Sequence, residues 1–156
     1  MPYTTVAVVG DKIPVAFPNA FGAWTSYTPT VSVGFTTATY TLSGAYVQVQ
    51  KTVWFRAQVQ IATLTTPGTA TFAINLPVQA ASSLPSQFQA GTAQFRTNAA
   101  AYVPGVVSIA ASATTFSVLI CTPGAGNPNL SRWLGNVPAG QAAGDIWSFS
   151  GCYEAA

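Results

Sequence analysis

Two kinds of side chain in this sequence could carry out chemistry on a bound molecule, its carboxylates and its thiols, and both are scarce. Asp11, Asp145 and Glu154 are the only acids, Cys121 and Cys152 the only cysteines, and there is no histidine. Glycoside hydrolysis needs two carboxyl groups about 5 to 9.5 Å apart, one as acid and one as nucleophile or base. Such a pair would fall to Asp145 and Glu154, because Asp11 lies in a proline-punctuated opening segment. Both have plainer roles. An aspartate after glycine in a tight turn, as in Gly144-Asp145, accepts backbone N–H bonds, and Glu154 reads as a surface partner for a nearby Lys or Arg. Without histidine there is no Ser–His or Cys–His nucleophile, two cysteines cannot complete a zinc site, and no acidic loop offers calcium six oxygens. No catalytic residue, cofactor or metal ligand is expected, and the chain reads as a non-enzyme. The cysteines read as small buried hydrophobes that would pair only if their strands were antiparallel neighbours.

Binding chemistry is more informative. Gly124-Ala-Gly126 lacks a third glycine and a following Lys-Ser/Thr, so it is neither a dinucleotide nor a phosphate loop. Five scattered Lys and Arg against three acids give no cationic footprint, and nucleic acid is not an expected partner. The four tryptophans, Trp24, Trp54, Trp133 and Trp147, are dispersed, and burial in a core or a subunit contact is the first reading of each. Arg132 and Trp133 fall in residues 122–143, the longest stretch without a strand pattern, and are the candidate surface-loop residues for holding a sugar. The clearest pattern is Lys51 to Ile61. Val53, Phe55, Ala57, Val59 and Ile61 make one face, while Trp54, Arg56, Gln58 and Gln60 stand on the other. Only 5% of the chain is charged and 49% is hydrophobic. On that background a Trp-Arg-Gln-Gln face matches a protein contact better than a solvated surface, so it is the candidate interface with another copy or a particle neighbour.

The elements that must position these residues are strands. Segments near 37–42, 45–50, 52–64, 69–76, 88–96, 106–111, 114–121 and 146–153 are rich in Thr, Val, Phe and Tyr, and several alternate with period two. Turn signals separate them, among them Ser43-Gly44, Thr66-Pro67-Gly68, Pro104-Gly105 and Gly144-Asp145. The expected fold is all-β, a single antiparallel β-sandwich or jelly roll of about eight strands over residues 24–156. Residues 1–23, with Pro14 and Pro18, read as an extended N-terminal arm that attaches the body to something else. No apolar run reaches the ~20 residues of a spanning helix. No cationic stretch precedes an apolar core at the N-terminus, so synthesis and retention in the cytosol, without membrane insertion, are expected.

From Gly22-Ala-Trp-Thr-Ser-Tyr-Thr-Pro-Thr30 onward the sequence resembles small β-rich virion proteins of tailed phages of the actinobacterial type, and the C-terminal domains of their minor tail or tail-fibre proteins. The matching stretches, in order, are Gly44-Ala-Tyr46, Gln50-Lys-Thr-Val53, Leu76-Pro-Val78, Gly144-Asp-Ile146 and Ser150-Gly-Cys-Tyr-Glu-Ala155, with Met1-Pro-Tyr-Thr-Thr5 at the start. Gln50 stands where that group has glycine and Cys152 where it has threonine. The resemblance implies a non-enzymatic virion component assembled in the host cytoplasm, commonly homotrimeric and exposed on the particle. It would bind other copies of itself, and other virion proteins through residues 1–23. A minor tail position implies possible contact with a host cell-surface glycan; a capsid decoration protein is the alternative, and a lectin-like glycan-binding module a further one.

Overall fold

The alternation of inward and outward side chains runs through the computed structural model of this chain, which describes residues 23–33, 37–66, 71–123, 128–132 and 141–156. Among these described residues ten strands form: β1 (Thr25–Tyr27), β2 (Val31–Val33), β3 (Thr37–Val49), β4 (Thr52–Thr66), β5 (Ala73–Asn75), β6 (Phe88–Arg96), β7 (Tyr102–Ile109), β8 (Thr115–Pro123), β9 (Pro128–Arg132) and β10 (Ile146–Glu154). The protein is all-β, as expected, with ten strands in place of about eight. Every pairing is antiparallel, and all ten belong to one sheet in the order β1-β3-β4-β10-β6-β7-β8-β5-β2, with β9 beside β8. No helix among the described residues is long and apolar enough to cross a membrane.

That order forces the sheet to roll. β1 and β2 lie at opposite ends of it, yet only Thr28, Pro29 and Thr30 join them. Four Cα–Cα steps from Tyr27 to Val31 span at most about 15 Å, whereas nine strands side by side in a flat sheet would hold the two edges about 38 Å apart. Asn75 clamps the short link: its side-chain oxygen accepts from the Thr30 N–H, and its own N–H donates to the Thr30 carbonyl at 3.1 Å.

Rolling gives the apolar faces each other as partners. Phe55 of β4 lies 5.5 Å from Phe116 of β8, four places along the sheet, and Phe116 lies 5.2 Å from Phe149 of β10. Trp147 is fully buried and stacks on Phe95 at 4.5 Å. The inward residues of β4 (Val53 to Ile61), with Phe72, Ile74, Val118 and Ile120, complete one core, each large side chain contributing roughly 1.5 to 3 kcal/mol by leaving water.

Three expectations are corrected. Ser43-Gly44 is no turn: β3 runs unbroken through it, and a Cβ on Gly44 would lie 2.5 Å from the Tyr27 ring, which occupies that space. The turn falls instead at Gln50, whose φ is 54° and whose carbonyl accepts from the Gln48 side chain at 2.9 Å. Pro104-Gly105 likewise lies within β7. Pro104 precedes the first β8 pairing, at Gly105, so its missing N–H breaks no bond on that side, and a Cβ on Gly105 would lie 2.9 Å from the Leu119 carbonyl oxygen. The hairpin there turns at 97–101 without glycine or proline, on Thr97 backbone and side-chain bonds and an Ala100 at φ 61°. Residues 122–143 are not all irregular, because 122–123 extend β8 and 128–132 form β9, an edge strand that tolerates Pro128 as its first residue. Residues 1–22 of the expected arm lie outside the described residues.

Candidate interaction face

The outward face of β4 is built by its register. Val47, Ala45 and Ser43 of β3 stand opposite Trp54, Arg56 and Gln58, and Cys152, Ser150 and Ser148 of β10 stand opposite them on the other side. Long side chains on β4 therefore form a ridge between two rows of small ones. Trp54 is 41% exposed, Arg56 and Gln58 are exposed, and Gln60 is half-buried. Trp24, just before β1, is 47% exposed, and the Arg56 guanidinium carbon sits 4.8 Å from its ring centroid. A contact of this kind at an exposed site is worth about 0.5 to 1 kcal/mol. It holds Arg56 along the face and fixes the Trp24 ring.

Between the two indoles and β6 lies an open groove, lined by Trp24, Val47, Trp54, Gly91, Gly151 and Cys152. Its origin is local. Gly91 and Gly151 face each other at the last β6–β10 pair, where β6 also shifts register beside Ala90. A Cβ on Gly91 would lie 2.0 Å from the Ser150 carbonyl oxygen, and one on Gly151 would lie 2.8 Å from Phe55 Cε1. The two backbones can approach so closely only as glycines, and the groove opens where their ladder stops. Cys152 is half-buried there; burial pushes its thiol up, so it lines the groove as a small neutral group. Beside it, the Thr92 and Ser150 hydroxyls meet at 3.3 Å.

Among the described residues, Asp145 and Glu154, the carboxylates capable of chemistry, do not converge, and Asp11 lies outside the described residues. Asp145 is buried, its Oδ1 accepting from the Asn98 N–H and its Oδ2 from the Ala142 N–H, each at 2.7 Å. Gly144 before it has φ +92°, with the space for a Cβ taken by Asn98. The carboxylate thus ties the 141–145 turn to the 97–101 turn, as its position after glycine implied. Glu154 ends β10, the strand that begins directly after Asp145. Nine extended steps put the two carboxylates about 30 Å apart, so they form no catalytic pair. Among the described residues the partner of Glu154 is the Ser83 hydroxyl at 3.5 Å, in place of the expected Lys or Arg. No group of three or more metal-ligating His, Cys, Asp or Glu gathers among the described residues. β6 and β7 separate β8 from β10, so Cys121 and Cys152 are not on neighbouring strands, and Cys152 is free. Arg132 closes β9 with its backbone opposite Leu119, and Trp133 lies outside the described residues.

Inside the sheet, Tyr153 Oη donates to the Val78 carbonyl at 2.6 Å and accepts from the Val78 N–H at 3.3 Å. Burial pushes its pKa up to about 12. Burial, reinforced by Tyr153, drives Tyr27 up further still, and its hydroxyl is buried without a hydrogen-bond partner among the described residues. What sequence reading missed at the face was Trp24 and the glycine-floored groove. Trp24 sits thirty-two positions before Arg56 in sequence, and only the β1–β3–β4 register brings them together. Compared with known proteins, the chain matches no family model, no curated protein and no solved structure.

Proposed function

We propose that this protein is a non-catalytic structural component of a tailed-phage virion, exposed on the particle, homotrimeric, and of the minor tail or tail-fibre type. Its sandwich-like body packs against other copies or particle neighbours through the outward face of β4, and residues 1–23 attach it to other virion proteins. The observation that carries the reading is that face: two tryptophans more than two-fifths exposed, one held by Arg56, beside an apolar groove. Exposed apolar patches rimmed by polar side chains mark contact sites, and a chain with 5% charged residues has little else to keep such a patch in water. The resemblance supplies the setting, and two of its motif residues shape this region, Trp24 by rimming the groove and Gly44 by leaving room for Tyr27.

The test is made on purified particles of the encoding phage, probed with antibody against this chain in the electron microscope. Label at the tail supports the reading in full. Label spread over the head, at hundreds of copies, replaces the tail position with capsid decoration. Particles that lack the protein overturn it.

A further inference from the structure

Among the described residues the exposed large hydrophobic side chains are Trp24, Trp54 and Tyr102. Two of them rim the groove. The third, 59% exposed, stands alone at the start of β7. Tyr102 pairs with Arg96, Arg96 with Ile146, and Ile146 with Gln60, so it shares the outward side of the sheet with the β4 ridge. Three strand spacings across and the six residues from Gln60 back to Trp54 separate it from the groove by about 25 Å. No side chain crosses that distance, so Tyr102 cannot fill the groove of its own chain.

The knob has a cation beside it, and the groove has charges of both signs, Arg56 engaged on the Trp24 ring toward Ser150 and Glu154 on the far side of Cys152. Arg96 stands directly opposite Tyr102. Glu154 lies on β10 two residues beyond Cys152, hence on the same outward side as the groove and about 7 Å along from it. We infer that Tyr102 of one copy seats between Trp24 and Trp54 of a second copy, with Arg96 beside it meeting the second copy's Glu154. The inference rests on the reading that the outward face contacts other copies, and it names the residue that enters the groove. The groove walls, chiefly the two indoles with Val47, Val49, Ala90 and Cys152, suit an aromatic ring, and the Thr92 and Ser150 hydroxyls can take a phenol O–H at the rim. Knob and groove are separate patches, so every copy gives one and receives one. A contact of that kind closes into a ring when its rotation allows, as a homotrimer requires.

The experiment measures the mass of the full-length protein in solution by light scattering. Tyr102→Ser, Trp54→Ser and Arg96→Glu should each shift the oligomer to the 16.1 kDa monomer, and Glu154→Arg added to Arg96→Glu should restore it. All four side chains are exposed, and an unchanged circular dichroism spectrum confirms that each variant folds. In a Cys121→Ser background, Tyr102→Cys under an added oxidant should bond to Cys152 of a neighbouring copy and give multiples of the chain mass on a non-reducing gel. An oligomer whose mass ignores Tyr102→Ser and the charge reversals, with no intercopy disulfide, overturns this contact while leaving self-association to another surface. A wild-type protein that is monomeric at every concentration overturns the self-association reading itself. Quenching of tryptophan fluorescence by an added oligosaccharide, with the oligomer intact, would give the groove to a sugar and likewise overturn the contact.

Discussion

Asp145 could have been half of a catalytic pair and is instead a structural anchor. Its two carboxylate oxygens satisfy the N–H groups of Asn98 and Ala142, bonds to a charged group that contribute roughly 1.5 to 3 kcal/mol each. Asp145→Ala should lower stability in urea unfolding by about 3 to 5 kcal/mol. Asp145→Asn, which keeps one acceptor oxygen, should lose less. Tyr153 gives the molecule an upper pH limit. In the unfolded chain its phenol ionises near pH 10, and in the folded chain at about 12. Between those values the unfolded state binds fewer protons, so stability falls as pH rises. Its contribution is complete below pH 10 and lost as pH climbs through 12, and burial of Tyr27 acts in the same direction. Thermal unfolding followed from pH 9 to 12 should show this decline, and Tyr153→Phe should flatten it. The residue roles legible in the sequence were those set by immediate neighbours, such as an aspartate following a turn glycine. Arg56 beside Trp24 depends on three strands lying side by side, which no local pattern encodes.

At the scale of elements, period two marked β4, β8 and the stretch around β5, where Phe55, Val59, Phe72, Ile74, Phe116 and Val118 alternate into the core, whereas β6 and β10 were read from their composition and the turn signals around them. The misreadings cluster on glycine and proline. Gly44 and Gly105 are small because a ring or a carbonyl lies against them, not because the chain bends there. The actual bends, at Gln50, Ala100 and Ser112, use residues with no strong turn signature in left-handed conformations. β1 and β2 span three residues each, too short for alternation to show. Gly44→Ala should therefore displace the Tyr27 ring and loosen β1, costing about 1 to 3 kcal/mol in a denaturant titration. Gly91→Ala meets backbone, with a Cβ 2.0 Å from the Ser150 carbonyl oxygen. It should be the more damaging of the two, and its yield of folded protein on gel filtration should fall below that of Gly44→Ala.

For the whole molecule, the decisive feature is that three residues join the two ends of the sheet order. Closure was not legible in the sequence, since alternation marks which strands exist and nothing about which lie side by side. Asn75 holds the link to β5, so Asn75→Ala should open this seam first. In native-state hydrogen exchange, the amides of Thr30 and Asn75 should lose protection while those of β4 and β10 keep theirs. The strand order also governs how the protein can be made. β10 sits between β4 and β6 and pairs with both, although it leaves the ribosome after all nine other strands. Until then, a nascent chain holds β4 and β6 with an unfilled slot between them and their apolar faces in water. Stalled chains ending before Ile146 should therefore resist folding and draw chaperones, and the fold should snap together only once that strand has emerged from the exit tunnel.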